Sequence, residues 1–143
     1  MNLKSINEIE EEVISEFEIL DTWMDKYEYI IELGKSLPLI DEKFKTDDYK
    51  VSGCQSQLWL KADKENDRLF FSADSDAIIS KGLINLLIRV LSNQKPEDIA
   101  NAKLEFIDKI GMKEHLSPNR ANGLQAMIDQ MKRFAEAYLS KNN

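Results

Sequence analysis

The sequence predicts an α+β fold in which helices flank a small antiparallel sheet. Two patterns support this prediction. Apolar residues recur every three or four positions near both ends and in the middle of the chain, which is typical of amphipathic helices. One short region, residues 58–71, has the alternation and turn residues of paired strands instead. Since the chain has 143 residues and no visible repeat, we expect one domain over 1–143 that can bury a core.

Two helices are predicted before the sheet. Ser5 followed by Glu8 is a capping-box signature for the first helix. Its inner apolar residues are Ile6, Ile9, Val13, Phe17 and Leu20. Asp21 is expected to cap the second helix, which Gly34 is placed to end. The inner residues of this second helix are Trp23, Tyr27, Ile30 and Ile31. An irregular segment is expected from Leu37 to Asp48.

A hairpin and a buried helix follow. Leu58, Leu60 and Ala62 alternate with Trp59, Lys61 and Asp63, which predicts a strand, and we expect Trp59 in the core. Asn66-Asp67 supplies turn residues before a returning strand at 69–71. Asp74, Ser75 or Asp76 is expected to cap the next helix. That helix is apolar nearly all round between residues 78 and 91, which predicts a central buried position.

The last part of the sequence is predicted to be helical. Pro96 suits the first turn of a short helix, and a further helix is expected to end at Gly111. Ser117-Pro118 is typical of an N-cap followed by proline at the first helical position. The inner residues of this last helix are Leu124, Met127, Met131, Phe134 and Tyr138.

Composition excludes several classes of function. The single cysteine, Cys54, excludes an intramolecular disulfide framework and any zinc or iron–sulfur site that needs several cysteines. The single histidine, His115, argues against multi-histidine metal sites and against a Cys-His or Ser-His pair. We therefore expect no metal site.

The net charge is −7, which argues against nucleic-acid binding, because phosphate contacts need clustered Lys and Arg. No apolar stretch is long enough to span a membrane, and the first residues lack the pattern of a secretory signal. A lone thiol suits the reducing cytoplasm, which is the expected location.

The negative charge is concentrated in the first third of the sequence. Residues 1–48 hold 14 acidic and 5 basic side chains, whereas residues 49–143 hold 12 acidic and 14 basic ones. A solvated helix surface explains such a run in most proteins. An acidic surface that steers a basic partner is the alternative.

Cys54 is the first candidate for chemistry. It follows Gly53 and precedes Gln55 and Ser56, a composition typical of a tight loop. Free cysteines are usually buried and inert, but a thiol in a partly exposed loop can react. The nearest basic residue in the sequence is Lys50, so activation of the thiol must come from tertiary neighbours or from a partner protein.

His115 and Arg120 are further candidates. His115 is interpreted either as an ordinary loop histidine or as a functional residue near the Ser117 cap. Arg120 falls in the first turn of the last helix, where the helix dipole disfavours a cation. It either contributes to function or ties the helix to a carboxylate such as Asp74 or Asp76.

Four separated blocks of sequence resemble the SufE family of sulfur acceptors. They are Gly53-Cys54-Gln55-Ser56 with Trp59, Ser75-Asp76-Ala77 with Lys81-Gly82-Leu83, His115-Leu116-Ser117-Pro118 with Arg120, and Asn122-Gly123-Leu124. The segment Tyr29–Gly34 matches as well, so the resemblance covers about residues 7–140. Two departures, Leu58 where valine is commoner and Asn119 where serine is commoner, are expected to lie away from the thiol.

The resemblance implies a function and a fold. Such proteins accept sulfane sulfur from a cysteine desulfurase that depends on pyridoxal phosphate, stimulate that enzyme, and pass the sulfur to an iron–sulfur scaffold protein. Because Cys54 matches the acceptor cysteine of the family, the resemblance implies that Cys54 becomes the persulfide. It also implies that the pyridoxal cofactor belongs to the desulfurase rather than to this chain. The implied fold is akin to iron–sulfur scaffold proteins. Residues implied to bind the partner or to stabilise the loop are Gly53, Gln55, Ser56, Asp76, His115 and Arg120.

Three alternatives stay open at this point. The chain could regulate a desulfurase by docking alone, act as a cluster scaffold, or sense redox state with a resolving cysteine from another chain. One thiol per chain opposes the scaffold. The sequence leaves open the identity of the desulfurase, the destination of the sulfur, and the choice between monomer and homodimer.

Overall fold

A computed structural model describes residues 3–141. Helices surround a single hairpin in the described part of the chain, which confirms the predicted α+β fold. The elements are α1 (Ile6–Glu18), α2 (Trp23–Gly34), β1 (Leu58–Glu65), β2 (Arg68–Ser75), α3 (Ile78–Leu91), α4 (Pro96–Asn101), α5 (Phe106–Lys109), α6 (Met112–His115) and α7 (Pro118–Lys141). Two short 3-10 turns, Glu42–Phe44 and Asp47–Tyr49, lie in the segment expected to be irregular.

The hairpin pairs β1 and β2 in antiparallel register, from Leu58 opposite Ser75 to Glu65 opposite Arg68. The predicted turn is confirmed, and β2 continues four residues past the predicted end at residue 71. One face of the sheet is apolar and buried. Its residues are Leu58, Leu60, Leu69, Phe71 and Ala73. The other face carries Trp59, which is half-buried beside Lys45, so the expectation that Trp59 belongs to the core is wrong.

The central position of α3 is confirmed, since most of its side chains are buried. Its closest neighbour is α2. A Cβ added to Gly82 would overlap the carbonyl group of Ile30, and one added to Gly34 would lie 2.8 Å from the backbone nitrogen of Gly82. The two backbones therefore touch, and only glycine permits this approach.

A polar cluster joins α1, α2 and α3. The guanidinium of Arg89 donates to both carboxylate oxygens of Glu16, with 2.7 Å between Nη1 and Oε1, and the hydroxyl of Tyr29 also donates to Glu16. The hydrogen bond from Arg89 is the main reason that the pKa of Glu16 lies below its ordinary value. The cluster uses residues from three elements, so no local pattern could indicate it.

The helix caps agree in part with the sequence. The Ser5–Glu8 capping box is confirmed: the Glu8 amide donates to Ser5 Oγ at 3.1 Å, and Glu8 Oε1 accepts from the Ser5 amide. The cap of α2 is Thr22 rather than Asp21, because the Asp25 amide donates to Thr22 Oγ1 at 3.1 Å. The prediction was wrong by one residue, since both residue types can cap.

The expected cap of α3 is wrong. β2 extends through Asp74 and Ser75, and the cap position is Ala77, which has no side chain that could accept a hydrogen bond. Asp76 instead contacts the cysteine-containing loop. At the last helix, Ser117 Oγ accepts from the Arg120 amide at 3.3 Å, as predicted.

The C-terminal region brings α7 across α4 and α3. Leu124, Met127 and Met131 are buried as expected, whereas Phe134 and Tyr138 are half-buried. Gly111 has a φ of +82° just beyond α5, which suits its predicted place at the end of that helix. None of the helices in residues 3–141 has the length and apolar character that crossing a membrane requires.

Candidate functional site

Cys54 lies in a short loop, residues 52–57, that is closed at its base by hydrogen bonds. The Val51 amide donates to the Leu58 carbonyl at 2.8 Å. At the other end, the Gln57 amide donates to Asp76 Oδ1 at 3.0 Å, and the Asp76 amide donates back to the Gln57 carbonyl at 3.2 Å. The loop is therefore held where it leaves the sheet.

Two serine hydroxyl groups add to this anchoring. Ser75 Oγ donates to the Gln57 carbonyl at 2.7 Å. Ser56 Oγ lies 2.8 Å from Ser80 Oγ on α3, and either hydroxyl can be the donor. These contacts fix the end of the loop that follows Cys54.

Gly53 lets the chain turn directly before the thiol. Its φ is +96°, a conformation that favours glycine. A Cβ added at this position would lie 3.1 Å from the Cβ of Ala126 on α7, which is a tight contact. Both the backbone angle and the space beside α7 thus require a small residue before Cys54.

The thiol of Cys54 points at α7. Sγ lies 3.7 Å from the carbonyl oxygen of Gly123, to which the thiol donates a weak hydrogen bond. Cys54 is half-buried, and burial raises the pKa of its thiol above the ordinary value. A higher pKa favours the protonated thiol, which is a poorer nucleophile than the thiolate.

A cavity of about 150 Å³ opens beside the thiol. It combines apolar side chains from α3 and α7 with polar side chains from the loop and the start of α7. The lining residues are Cys54, Gln55, Ser56, Ala77, Ile79, Ser80, Leu83, Asn119, Arg120, Gly123 and Met127. A larger cavity of about 700 Å³, bordered by α1, α4 and α5, contains no thiol.

The structure brings most of the predicted site residues together. Gln55, Ser56 and Arg120 line the cavity with Cys54, and Asp76 contacts the loop through Gln57. Asn119 also lines the cavity, so this departure from the family pattern lies beside the thiol, contrary to expectation. Leu58, the other departure, is fully buried.

Among residues 3–141, no carboxylate forms an ion pair with Arg120, so the expected tie to Asp74 or Asp76 is not found. Its guanidinium lies 5.6 Å from the centre of the Tyr27 ring, in a cation–π contact with α2. Asp74, one expected partner, pairs with Lys45 and with Lys81 at 3.5 Å. Although burial acts to raise it, these contacts hold the pKa of Asp74 below its ordinary value.

His115 lies outside the cavity lining. Its ring stacks on Trp23 of α2, with 4.7 Å between ring centres and an angle of 16° between planes. This stack and the Arg120–Tyr27 contact together hold the start of α7 against α2. The contribution of His115 is therefore to the position of α7 rather than to the surroundings of the sulfur.

Of the residues that α7 contributes to the site, the sequence singled out Arg120 as a candidate but not Gly123 or Asn119. Gly123 belongs to the segment Asn122-Gly123-Leu124, which resembles the family, but no role was predicted for it. In the structure its carbonyl group faces the sulfur of Cys54. A Cβ there would lie 3.6 Å from Cys54 Sγ. A glycine inside a helix lowers the stability of the helix by about 1 kcal/mol relative to alanine. Its presence in a helical pattern is therefore a signal that another segment packs closely against the helix.

Metal-ligating residues are not grouped near the thiol. Within residues 3–141, no three His, Cys, Asp or Glu side chains are placed to share a metal ion. The site as described consists of one thiol, a carbonyl acceptor, hydroxyl and amide side chains, and one guanidinium.

Comparison with known proteins gives a consistent result. The family described as "SufE: Fe-S metabolism associated domain" matches residues 11–135. An uncharacterised SufE-like protein of Rhizobium meliloti is 42% identical over 134 residues, covering 90% of this chain and 96% of that protein. SufE-like protein 1, chloroplastic/mitochondrial, of Arabidopsis thaliana is 36% identical over 126 residues, covering 87% of this chain but 34% of that protein.

A solved structure shares the fold. The solution structure of a hypothetical protein from Thermus thermophilus superposes with a TM-score of 0.76, covering 92% of this chain and 96% of that one. The sequence identity is 19%, so this similarity concerns the fold alone.

Proposed function

Because this chain belongs to the SufE family, whose domain is associated with Fe–S metabolism, we propose that Cys54 accepts sulfane sulfur from a cysteine desulfurase. The chain then stimulates that enzyme and delivers the sulfur for iron–sulfur cluster assembly. One observation carries the proposal: the single cysteine of the chain lies in a loop anchored at its base, with its thiol at the mouth of a cavity.

The transfer step balances without an external oxidant. The Cys54 thiolate attacks the outer sulfur of a persulfide on the desulfurase cysteine. A new S–S bond forms at Cys54, the donor S–S bond breaks, and its electron pair leaves with the desulfurase cysteine as a thiolate. The proton from the Cys54 thiol goes to solvent or to a base of the partner. Pyridoxal phosphate supplies the preceding chemistry in the desulfurase, and this chain needs only its thiol.

A single cysteine suits a sulfur carrier. A second thiol nearby could attack the inner sulfur of the Cys54 persulfide, which would release sulfide and leave a disulfide. The chain avoids this loss because it has one cysteine only. A reducing compartment prevents oxidation of a lone thiol, so we place the protein in the cytoplasm.

The resting conformation protects the sulfur rather than activating it. Burial raises the pKa of the Cys54 thiol, and the Gly123 carbonyl accepts its proton in a hydrogen bond. A partner must draw residues 53–55 away from α7 before attack, which removes the burial and lowers the pKa. The desulfurase thereby controls when the nucleophile forms.

The residues around the loop have three roles in this proposal. Asp76 and Ser56 hold the base of the loop, and Gly53 provides the turn that lets it move. Gln55 and Arg120 line the opening through which the partner reaches the sulfur. His115 sets the position of α7 through Trp23.

Mass spectrometry tests the proposal directly. The chain is incubated with a cysteine desulfurase from the same organism, free cysteine and pyridoxal phosphate. We expect a gain of one sulfur atom on Cys54 that a reductant reverses. Cys54→Ser, which keeps the size of the side chain, is expected to stay unmodified. An unmodified Cys54 in the presence of an active desulfurase contradicts the proposal.

Desulfurase turnover separates sulfur transfer from simple docking. We expect wild-type protein to raise the rate of sulfide release in the presence of a reductant, and Cys54→Ser to abolish most of that increase. Full stimulation by Cys54→Ser would instead identify a regulator that acts through its surface alone. Visible absorbance after anaerobic reconstitution with iron and sulfide would identify a cluster scaffold.

A further inference from the structure

The cavity of about 700 Å³ beside α1 takes no part in the proposed sulfur chemistry. We call it the α1 cavity. On one side it is lined by α1 and its cap, from Ser5 to Ile14, which is about 13 Å of helix at 1.5 Å per residue. On the other side it is lined by α4, α5 and the connection between them. Its volume lies within the range of cavities that bind small molecules, and its shape suits an elongated one.

The charged side chains that line the α1 cavity carry a negative excess. They are Glu10, Glu11, Asp98, Lys103, Glu105 and Lys109. No ion pair within residues 3–141 uses any of these six side chains. Four carboxylates against two ammonium groups leave a formal excess of two negative charges. In the same part of the chain, no three acidic, histidine or cysteine side chains are placed to share a metal ion, so the excess suits an organic cation.

Glu10 is a buried carboxylate that faces this cavity. Its residue is only 8% exposed, and its Oε2 accepts a hydrogen bond from the Phe106 amide at 3.1 Å. Oε1 accepts from no donor within residues 3–141. Since no side-chain oxygen there is fully enclosed without a partner, Oε1 is open to the cavity. A buried carboxylate without a counter-charge is costly, so a cation that reaches Oε1 gains a strong interaction.

Gln94 adds a second buried polar group to the lining. It is 4% exposed, and its Nε2 donates to the Lys4 carbonyl at 2.9 Å. Its Oε1 has no donor among the described residues, so this oxygen is a free acceptor at the cavity. The amide side chains of Asn7 and Asn101 line the cavity as well. Carboxylate and amide oxygens are acceptors that a protonated amine, with its several N–H donors, can use together.

Apolar side chains lie among these polar groups. They are Ile6, Ile14, Ala102 and Phe106. Such a lining favours a ligand that has a hydrocarbon stem in addition to its charge, because the stem leaves water when it packs against them. A hydrated metal ion gains nothing from these residues.

We propose that the α1 cavity binds a linear aliphatic polyamine, with one ammonium group at Glu10 and the hydrocarbon chain along Ile14 and Phe106. Two or more ammonium groups on one flexible chain match the excess of negative charge. The bound molecule joins α1 to the connection between α4 and α5, so it stabilises the folded state by mass action. The α1 cavity and the thiol cavity share no lining residue, and the proposal is therefore independent of sulfur transfer by Cys54.

Isothermal titration calorimetry with spermidine tests the proposal. We expect one saturable site between about 10 μM and about 10 mM spermidine, weakened by added salt. Magnesium chloride at equal ionic strength supplies charge without a stem, and 1,8-octanediol supplies a stem without charge. We expect neither to saturate the site. A lack of saturable spermidine binding would overturn the proposal, and so would equal binding of magnesium.

Nuclear magnetic resonance separates this site from loose attraction to an acidic surface. On addition of spermidine, we expect the amide shifts to change within residues 5–14 and 94–109. The exposed acidic segments 18–25 and 41–48 should be unaffected. Shift changes spread over all acidic segments would show non-specific attraction and overturn the proposal.

Matched variants identify the buried carboxylate as the contact. Glu10→Gln keeps an acceptor for the Phe106 amide and removes the charge, and we expect the Kd for spermidine to rise at least about tenfold. Glu18→Gln makes the same change at the exposed end of α1, outside the cavity, and should bind as the wild type does. Equal affinity of all three proteins would overturn the proposal.

Two further measurements keep the result interpretable. Thermal unfolding shows whether each variant is folded, and Glu11→Gln, an exposed carboxylate of the same cavity, replaces Glu10→Gln if that variant does not fold. Its Kd should then exceed that of Glu18→Gln, and equal values would overturn the proposal. Persulfide formation on Cys54 is expected to be the same with and without spermidine, so a failed titration leaves the sulfur-transfer proposal unaffected.

Discussion

The carbonyl oxygen of Gly123 lies 3.7 Å from Sγ of Cys54, so the only thiol of the chain is hydrogen-bonded to the helix that covers it. This contact joins two segments 69 residues apart. The helix buries part of the thiol, and this burial raises the pKa of Cys54 above its ordinary value, which predicts the pH behaviour of that thiol.

We expect Cys54 to be alkylated more slowly at neutral pH than cysteine in an unfolded peptide. Burial raises the pKa of the thiol, so the thiolate fraction at any pH below that value is smaller. The rate of reaction with iodoacetamide, measured against pH, should have its midpoint above that of the peptide. A midpoint at or below the peptide value would contradict this prediction.

The same shift affects stability at alkaline pH. The pKa of Cys54 is higher in the folded protein than in the unfolded chain. The protonated thiol therefore stabilises the folded state fully at any pH below the pKa that Cys54 has in the unfolded chain. The free energy of unfolding should then decrease as the pH rises from the unfolded toward the folded pKa. Cys54→Ser is the control, because it has no titrating group, and the difference between the two pH curves isolates the thiol. Parallel curves would contradict the expectation.

Asp76→Ala should loosen the loop around Cys54. The substitution removes the acceptor of the Gln57 amide proton, and we expect a loss of about 1 kcal/mol in the free energy of unfolding. Amide exchange in residues 52–57 and alkylation of Cys54 should both become faster. Asp76→Asn keeps a carbonyl acceptor and should lie closer to wild type. Equal exchange in all three proteins would show that this hydrogen bond does not hold the loop.

Arg120→Ala should slow sulfur transfer while it preserves the fold. The cation–π contact with Tyr27 is solvent-exposed, so its loss should cost about 0.5–1 kcal/mol of stability. The rate of persulfide formation on Cys54 should decrease more than this loss explains, because Arg120 lines the opening beside the sulfur. Arg120→Lys keeps the charge as a control. A large loss of stability with normal transfer would assign Arg120 to the fold.

Gly82→Ala and Gly123→Ala should differ in stability although both change a buried helical glycine. At Gly82 the new methyl group would overlap the Ile30 carbonyl, which forces α2 and α3 apart at a cost of about 1–3 kcal/mol or more. At Gly123 it meets Cys54 Sγ at 3.6 Å, an ordinary contact, and helix propensity favours alanine by about 1 kcal/mol. Denaturant unfolding of both variants measures the difference. Equal stabilities would contradict it.

The sequence predicted those parts of the fold that depend on local patterns. The capping box at Ser5 and the cap at Ser117 follow from short-range hydrogen bonds, and the burial of α3 follows from its composition. The cap of α2 was misplaced because Asp21 and Thr22 both suit the position. The predicted end of β2 was too early because aspartate is common in turns and Asp74 was therefore not assigned to the strand. In the structure, Lys45 and Lys81 stabilise the carboxylate of Asp74 within the strand.

The loop side of the candidate site was predicted, whereas on the side of α7 only Arg120 was. Gly53, Gln55 and Ser56 are sequence neighbours of Cys54, so a pattern could identify them. Gly123 and Asn119 approach the thiol only because α7 crosses the loop. Of the two interpretations of Arg120, the structure does not support a tie to Asp74 or Asp76, since the choice between a carboxylate and the Tyr27 ring depends on how α2 and α7 pack.

The hydrogen bonds at the base of residues 52–57 have a kinetic consequence. In the opening that we propose for residues 53–55, the hydrogen bonds Val51–Leu58 and Gln57–Asp76 stay outside the moving segment, so exposure of the sulfur would be a local event that leaves the hydrophobic core folded. The frequency of that opening in the free protein sets an upper limit on any reaction that the protein undergoes without a partner. A partner that binds only the open form shifts the equilibrium toward that form. Other molecules do not cause this shift, so the exposed sulfur reacts selectively with the partner.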